Sequence, residues 1–331
     1  MDKKITSVVT GATGFVGSHL VDLLLEKGNR VKCITRKTSS LRWLKDKPVE
    51  IYDCGLFDRE ALKEVIKDAD YLFHVAGVVK AKDKEGYYKG NVETTGNLLD
   101  VVKEVNPGIK KVVIVSSLTA CGPSKIGRPN NEETIPNPIT NYGRSKLEQE
   151  KLTKKYMNDL PITIVRPPAV YGERDTEIYL YFKTYQQGLM AMIGFNDKEI
   201  SLIHVKDLVN GIYLAGISDN SAGKLYLITP EEIYTWPQIG DAIEKHIGKK
   251  ALRIKIPHFL IYTVGAVAEF FSWFSSKAAT FNYEKARDFV QEAQTCDASK
   301  AVKELGYRQQ TSLDEGIKRT IDWYREMKWL K

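Results

Sequence analysis

Tyr142 and Lys146 stand four residues apart in the run Asn141-Tyr142-Gly143-Arg144-Ser145-Lys146, so on a helix both project from one face. The pair suits proton exchange with a carbinol or carbonyl oxygen while a hydride moves to or from the attached carbon. A free phenol ionises near pH ~10, and an ammonium beside it favours the anion and brings it toward working pH. Ser117 follows the apolar run Val112 to Val115, where a strand's carboxyl end would let it donate a hydrogen bond to the same oxygen. Tyrosine and lysine at this spacing also occur on ordinary solvated helix faces, so the surrounding elements must decide.

The first of those elements is Thr10-Gly11-Ala12-Thr13-Gly14-Phe15-Val16-Gly17, which follows the apolar run Ile5 to Val9 and precedes the helical pattern His19 to Leu25. A strand, a glycine-rich turn and a helix start come in the order that a nucleotide pyrophosphate requires. Gly11 can make the tight turn, Gly14 can let phosphates approach the backbone, and Gly17 can let helix and strand pack closely.

Further along, Val31 to Thr35, Val49 to Tyr52, Tyr71 to Val75, Val112 to Val115 and Ile162 to Val165 read as strands, with helical patterns such as Ala61 to Lys67 and Val92 to Val105 between them. Continuous rather than alternating hydrophobicity implies a sheet covered on both faces, so the expected fold is α/β with a doubly wound parallel sheet. The pattern changes after Val170. The expected division is a dinucleotide-binding domain over 1–170, to which 203–228 returns, and a smaller, mostly helical substrate lobe over 171–331. Ligands of such sheets sit outside the carboxyl ends of the strands, where the second lobe would close over them.

With 331 residues the chain can bury a sizeable core, and its 49 Lys and Arg are dispersed among 42 Asp and Glu, a net charge of +7. That balance suits a phosphorylated cofactor and a small-molecule substrate better than nucleic acid. Cys33, Cys54, Cys121 and Cys296 form no close pair and have no histidines at metal-ligand spacing, which argues against zinc and a disulfide framework and fits the cytoplasm. The stretch Phe259 to Phe274 is strongly apolar but contains Glu269 and is shorter than the roughly 20 residues a bilayer needs. It reads as a buried helix lining the second lobe or as a dimer face, with interfacial membrane contact or an apolar substrate wall as alternatives.

Taken together, TGATGFVG, His74-Val75-Ala76-Gly77, Asn91 to Leu99, the Ser116-Ser117 strand end, YGRSK at Tyr142 to Lys146, Arg166-Pro167-Pro168-Ala169-Val170-Tyr171-Gly172 and Ile203 to Leu208 span most of the chain in a familiar order. The chain resembles an extended short-chain dehydrogenase/reductase, the group that includes the NAD-dependent epimerase/dehydratase family. The resemblance implies that Gly11, Phe15 and Val16 line a pyrophosphate and that Ala76 and Gly77 face the cofactor's ribose and phosphates. It further implies that Tyr142 is the general acid/base, that Lys146 holds the nicotinamide ribose and lowers the tyrosine pKa, and that Ser117 fixes the substrate oxygen. Pro168 and Val170 would border the nicotinamide, and Asn91 would lie near the catalytic helix or serve as a packing amide. His204 reads as a structural histidine opening the helix that follows. A homodimer through the helices holding Leu98 to Val105 and Leu147 to Tyr156 is expected by analogy.

Two departures matter. Gly55-Leu56 replaces the Asp-Leu pair that relatives often set against adenine, which leaves Leu56 to supply backbone contacts. At the end of the second strand, Arg36 and Lys37 replace the acid that would bind a ribose diol and suit the extra phosphate of NADP over NAD. The expected activity is therefore NADP-dependent interconversion of a secondary alcohol and a ketone, in the manner of dihydroflavonol reductases and 3β-hydroxysteroid dehydrogenases. Phe259, Phe270, Phe271, Trp273 and Phe274 are candidates to wall an apolar substrate. A nucleotide-sugar epimerase or dehydratase is the alternative, although Glu199-Ile200-Ser201-Leu202 lacks the arginine that commonly receives a sugar diphosphate and would leave that role to Arg174, Lys183 or Arg253. A non-catalytic NADP sensor would have lost Tyr142 or Lys146, and both are present.

Overall fold

The structure, a computed structural model, describes residues 4–272 and 281–331. Its first part runs β1 (Thr6–Thr10), α1 (Phe15–Glu26), β2 (Arg30–Ile34), β3 (Val49–Tyr52), α2 (Arg59–Ile66), β4 (Tyr71–His74), α3 (Lys84–Tyr88), α4 (Thr94–Val105), β5 (Lys111–Val115), α5 (Asn141–Tyr156) and β6 (Ile162–Arg166). Beyond β6 come β7 (Ala169–Tyr171), α6 (Tyr179–Gln186), β8 (Leu189–Ile193), β9 (Glu199–Ile200), β10 (Leu202–His204), α7 (Val205–Ile217), β11 (Leu225–Leu227) and β12 (Tyr234–Thr235). The chain ends with α8 (Trp236–Ile247), β13 (Leu252–Ile256), α9 (His258–Ser272), α10 (Tyr283–Phe289), β14 (Ala293–Gln294), α11 (Ser299–Leu305) and α12 (Leu313–Glu326).

Seven strands in the order β11-β6-β5-β4-β1-β2-β3 form one parallel sheet. Successive residues of β1 serve opposite faces, as the pleat demands. Val9 packs with Leu20 and Leu24 of α1 and Leu208 and Ile212 of α7, whereas Val8 packs with Leu62 and Ile66 of α2 and Leu98 and Val102 of α4. Both faces are thus dry, which is why the strands read as unbroken apolar runs. Strand order reverses between β1 and β4, and the crevice at that switch point is where an open α/β sheet takes its ligand.

Later in the chain, β11 extends the sheet beside β6, and α7 packs against α1. Ala301 and Leu305 of α11 pack into the same cluster, a contact not foreseen from the sequence. The remaining lobe has its own core, in which Phe182, Tyr185, Ile243, Ile321 and Tyr324 are buried.

The reading of the apolar stretch as a buried helix is corrected. Among the described side chains of α9 only Ile261 and Gly265 are buried, on the side facing α10, while Phe259 and Phe271 are each 66% exposed and Phe270 is also exposed. Phe259 lines an open depression with Phe195; Trp273 and Phe274 lie outside the described residues. Among the described residues, no helix is long and apolar enough to cross a membrane.

Candidate active site

The turn between β1 and α1 is built around steric limits that only glycine meets. Gly11 has φ +70°, and a Cβ there would lie 2.7 Å from the Ala76 nitrogen at the end of β4. A Cβ on Gly17 would lie 2.1 Å from the Gly11 carbonyl oxygen, far inside contact distance. Gly14 is the N-cap of α1; it is exposed, has no side chain to cap the helix, and no acid follows in the first turn. The first amides of α1 and the positive end of its dipole are therefore open to an anion, the arrangement a pyrophosphate fits. Phe15 and Val16, both half-buried, flank these amides.

The other half of the crevice comes from β5, β6 and α5. Thr140 caps α5 by accepting from the Gly143 nitrogen at 3.0 Å. Gly143 lets this first turn press against the 3-10 turn Leu118–Ala120, because a Cβ there would lie 2.4 Å from the Thr119 carbonyl oxygen. That closeness brings Tyr142 near Ser117, whose hydroxyl favours the phenolate. One turn later Lys146 is buried, its Nζ donating to the Val115 carbonyl at 2.8 Å and lying 3.7 Å from where a side chain on Gly77 would start. Tyr142, Lys146, Ser117 and Gly77 thus share the crevice at the carboxyl ends of β4 and β5.

Burial governs the electrostatics of this pair in the chain without cofactor. Burial pushes the Tyr142 phenol up to about 12, against the downward pull of Ser117 and with a small upward push from Tyr87. Burial also draws the Lys146 amine down to about 7, which Glu150 partly opposes. In the chain by itself Lys146 does not acidify Tyr142: the amine has lost much of its charge near neutral pH and is held by Val115. The phenol accordingly keeps its proton and stands ready as an acid.

Several residues that position this site escaped the sequence reading. Ser117 Oγ accepts from the Thr119 nitrogen at 3.2 Å and from Thr119 Oγ1 at 2.9 Å. Two donors occupy the oxygen's lone pairs and direct its own proton outward, toward Tyr142 and any oxygen beside it. Thr119→Val is expected to lower kcat about fivefold to tenfold, the worth of one such bond, with cofactor Kd unchanged and Thr119→Ser restoring the rate. An unaltered kcat in Thr119→Val would remove Thr119 from this role.

Asn91, named as a neighbour of the catalytic helix or a packing amide, acts as a brace. It sits in a single π turn, Lys89–Glu93, where its Oδ1 accepts from the Val78 nitrogen at 2.7 Å and its Nδ2 donates to the Val78 oxygen and to Ser145 Oγ at 2.9 Å. The loop carrying Ala76 and Gly77 is thereby pinned to α5. Beneath it lies a second buried chain of bonds. Thr95 Oγ1 gives its proton to the Asn91 carbonyl and receives one from Gln149, so His74 Nε2 must be the donor at 2.9 Å and His74 Nδ1 the acceptor from Thr10 at 2.7 Å. Burial holds His74 down to about 3, hence neutral, as this tautomer requires.

The other expected residues are placed as follows. Arg36 is exposed just past β2, with its backbone bridged to Cys54. Leu56 packs its side chain against the core cluster of α2 and α4, and its carbonyl accepts from Asn97 at 3.4 Å. Pro168 is buried beyond β6, and Val170 pairs with Ile203 between β7 and β10. His204 is buried as the N-cap of α7, its Nδ1 accepting from the Lys206 nitrogen and its Nε2 lying 3.3 Å from Glu173. Among the described residues no group of His, Cys, Asp and Glu could hold a metal ion.

Comparison with known proteins agrees with this construction. The family model described as the NAD dependent epimerase/dehydratase family matches residues 7–228. A ceramide reductase of Caulobacter vibrioides is 28% identical over 99% of this chain and 97% of its own length. A putative dihydroflavonol 4-reductase of Synechocystis is 30% identical over 98% of this chain and 95% of its own. Among solved structures, the UDP-glucuronic acid 4-epimerase of Bacillus cereus, in complex with UDP-glucuronic acid and NAD, superposes with a TM-score of 0.78 at 22% identity, covering 98% of this chain and 100% of that one. With the glycine cradle, the Tyr142 and Lys146 pair and the parallel sheet in one chain, this protein belongs to the NAD dependent epimerase/dehydratase family, and it is an enzyme of the extended short-chain dehydrogenase/reductase type.

Proposed function

We propose that this chain is an NADP-dependent oxidoreductase that interconverts a secondary alcohol and a ketone on an apolar substrate. The observation that carries the proposal is the buried Lys146, its amine held on the Val115 carbonyl at 2.8 Å, one turn below Tyr142 in the crevice that Ser117 shares. The glycine cradle would hold the cofactor's pyrophosphate, Lys146 and Gly77 its ribose, and the exposed Arg36 with Lys37 the extra phosphate. A bound nicotinamide supplies or accepts the hydride. In reduction, Tyr142 gives its proton to the carbonyl oxygen while Ser117 donates a hydrogen bond to that atom; in oxidation, the phenolate takes the proton back.

Two of the three cations that could receive a sugar diphosphate are already paired, which favours the reductase reading. Arg174 is bound to Asp22 at 2.7 Å and to Ser18 at 3.1 Å, Arg253 pairs with Asp241 and Glu244, and Lys183 is exposed on α6. The names of two relatives, a ceramide reductase and a putative dihydroflavonol 4-reductase, also point to net reduction.

The test is a panel of apolar ketones and nucleotide sugars, with NADPH and NADH compared by nicotinamide absorbance. Net oxidation of NADPH by a ketone, preferred over NADH by at least about tenfold and lost in Arg36→Asp, is the expected result. Isomerised sugar without net cofactor change would replace this reading with the epimerase. A homodimer through the outer faces of α4 and α5 is proposed alongside, and sedimentation velocity measures it.

A further inference from the structure

The segment from Lys249 to Phe271 holds four cations and, apart from Glu269, no acid. Its exposed face is apolar. On β13, Leu252 is 65% exposed and Ile254 is exposed beside it on one side of a two-stranded ribbon, where they register with Leu189 and Ala191 of β8. The ribbon leads through Pro257 into α9, which turns Phe259, Leu260, Val264, Val267 and Phe271 outward. Phe195, exposed past β8, lines a common depression with Phe259 and joins the two surfaces.

Around this face, Glu292 lines the depression with Phe195 and Phe259, and Arg253 is paired with Asp241 and Glu244. Glu269, the one acid within the segment, is turned toward α10, its Oε2 accepting from the Tyr283 nitrogen. Lys249 and Lys250 are exposed in the turn before β13, and Lys255 is exposed on β13 itself. A large apolar face bordered by Lys249, Lys250 and Lys255, none of which forms an ion pair among the described residues, complements an anionic bilayer surface, with its phosphate headgroups over an acyl interior.

The position of the face gives it a use. Gly265 of α9 packs directly on Ala286 of α10 and on Asn282, that helix's N-cap, closely enough that a Cβ would lie 2.9 Å from either. On α10, Glu284 accepts from the Asn141 nitrogen at 3.0 Å and from Arg144 at 2.8 Å, holding the first turn of the helix that carries Tyr142. The outer face of α9 is therefore two packed layers from the crevice.

We propose that β13 and α9 form a peripheral docking surface for anionic lipid bilayers, set beside the mouth of the crevice so that a membrane-dissolved substrate reaches it without crossing water. Docking concerns where the enzyme works and does not rest on the redox assignment.

The experiment is flotation of the full chain with vesicles of phosphatidylcholine alone or with 30 mole per cent phosphatidylglycerol, a composition in which each engaged cation contributes roughly fivefold to partitioning. Expected is at least about tenfold stronger binding to the anionic vesicles, weakened by added salt. Val264→Glu with Val267→Glu should abolish flotation, and Lys249→Glu with Lys250→Glu should weaken it at least about tenfold. Both pairs are exposed, so unfolding temperature should stay the same. Failure of the unsubstituted chain to float, equal binding to both vesicles, or flotation untouched by the substitutions would overturn the proposal. So would a dimer that the Val264 and Val267 substitutions dissociate in a chain that does not float, because the face would then be a subunit contact. No turnover is read, so neither result bears on the proposed reaction.

Discussion

Tyr142→Phe is expected to lower kcat about a thousandfold while leaving the dinucleotide Kd within about twofold. The asymmetry follows from which atoms do which work. The cradle is made of backbone amides at Gly14 and its neighbours, which the phenol does not touch, so cofactor binding survives. Proton delivery has a single source at this position: Ser117 can donate a hydrogen bond, but its oxygen is fixed by Thr119 and it has no acidity near neutral pH. The pH profile adds a second signature. Because burial holds the phenol near 12, reduction, which needs the protonated form, should be insensitive to the ionisation of Tyr142 through neutral and mildly alkaline pH. Oxidation needs the phenolate and should rise with pH over the same range. Fluorescence titration gives Kd, and single-turnover kinetics give the chemical step. A Tyr142→Phe protein that turned over at the parental rate would take Tyr142 out of the chemistry and revive the sensor reading.

The sheet was legible because burial on both faces leaves a direct trace in composition: Val49–Tyr52 is read to the residue, and the other five strands of the first part to within one. The crevice was legible for a different reason. Gly11 and Gly17 are required by contacts under 3 Å with atoms near in sequence or in the first crossing, so spacing alone carries the information. What was not legible lies in contacts between elements. Thr119 orients Ser117 only because a 3-10 turn folds the chain back over two residues, and nothing in Ser-Leu-Thr announces that turn. Asn91 looked like one residue of a continuous helix, whereas a π turn swings its amide onto Val78. The apolar stretch misled because hydrophobicity states what a segment would gain by burial. It does not say whether the rest of the fold provides a cover, and α10 covers only the Ile261 and Gly265 side of α9.

Glu150→Gln is expected to destabilise the protein by about 3–5 kcal/mol, the largest effect on stability of any single change near the site. Glu150 and Arg166 are 1% and 3% exposed, and the guanidinium grips the carboxylate with both Nε, at 2.8 Å, and Nη2, at 2.6 Å. Ser116 donates to the same carboxylate at 2.5 Å, and Arg166 also reaches Cys121 Sγ at 2.8 Å. This cluster ties α5, one turn past Lys146, to the carboxyl ends of β5 and β6. An amide in place of the carboxylate removes the negative charge and leaves a guanidinium buried without its counter-ion, which costs more than the bridge itself contributes. The unfolding midpoint should fall by roughly 5–15 °C. Replacing both charges, Glu150→Leu with Arg166→Met, should cost less than Glu150→Gln alone, because no ion is then stranded. Glu150 also opposes the downward shift of the Lys146 amine, so Glu150→Gln should move the pH dependence governed by that amine to lower pH. Thermal unfolding of the three proteins checks the first two points and a pH-rate profile the third. A double variant less stable than Glu150→Gln would mean that the ion pair contributes net stability, and that α5 is anchored by charge rather than protected from a charge left alone.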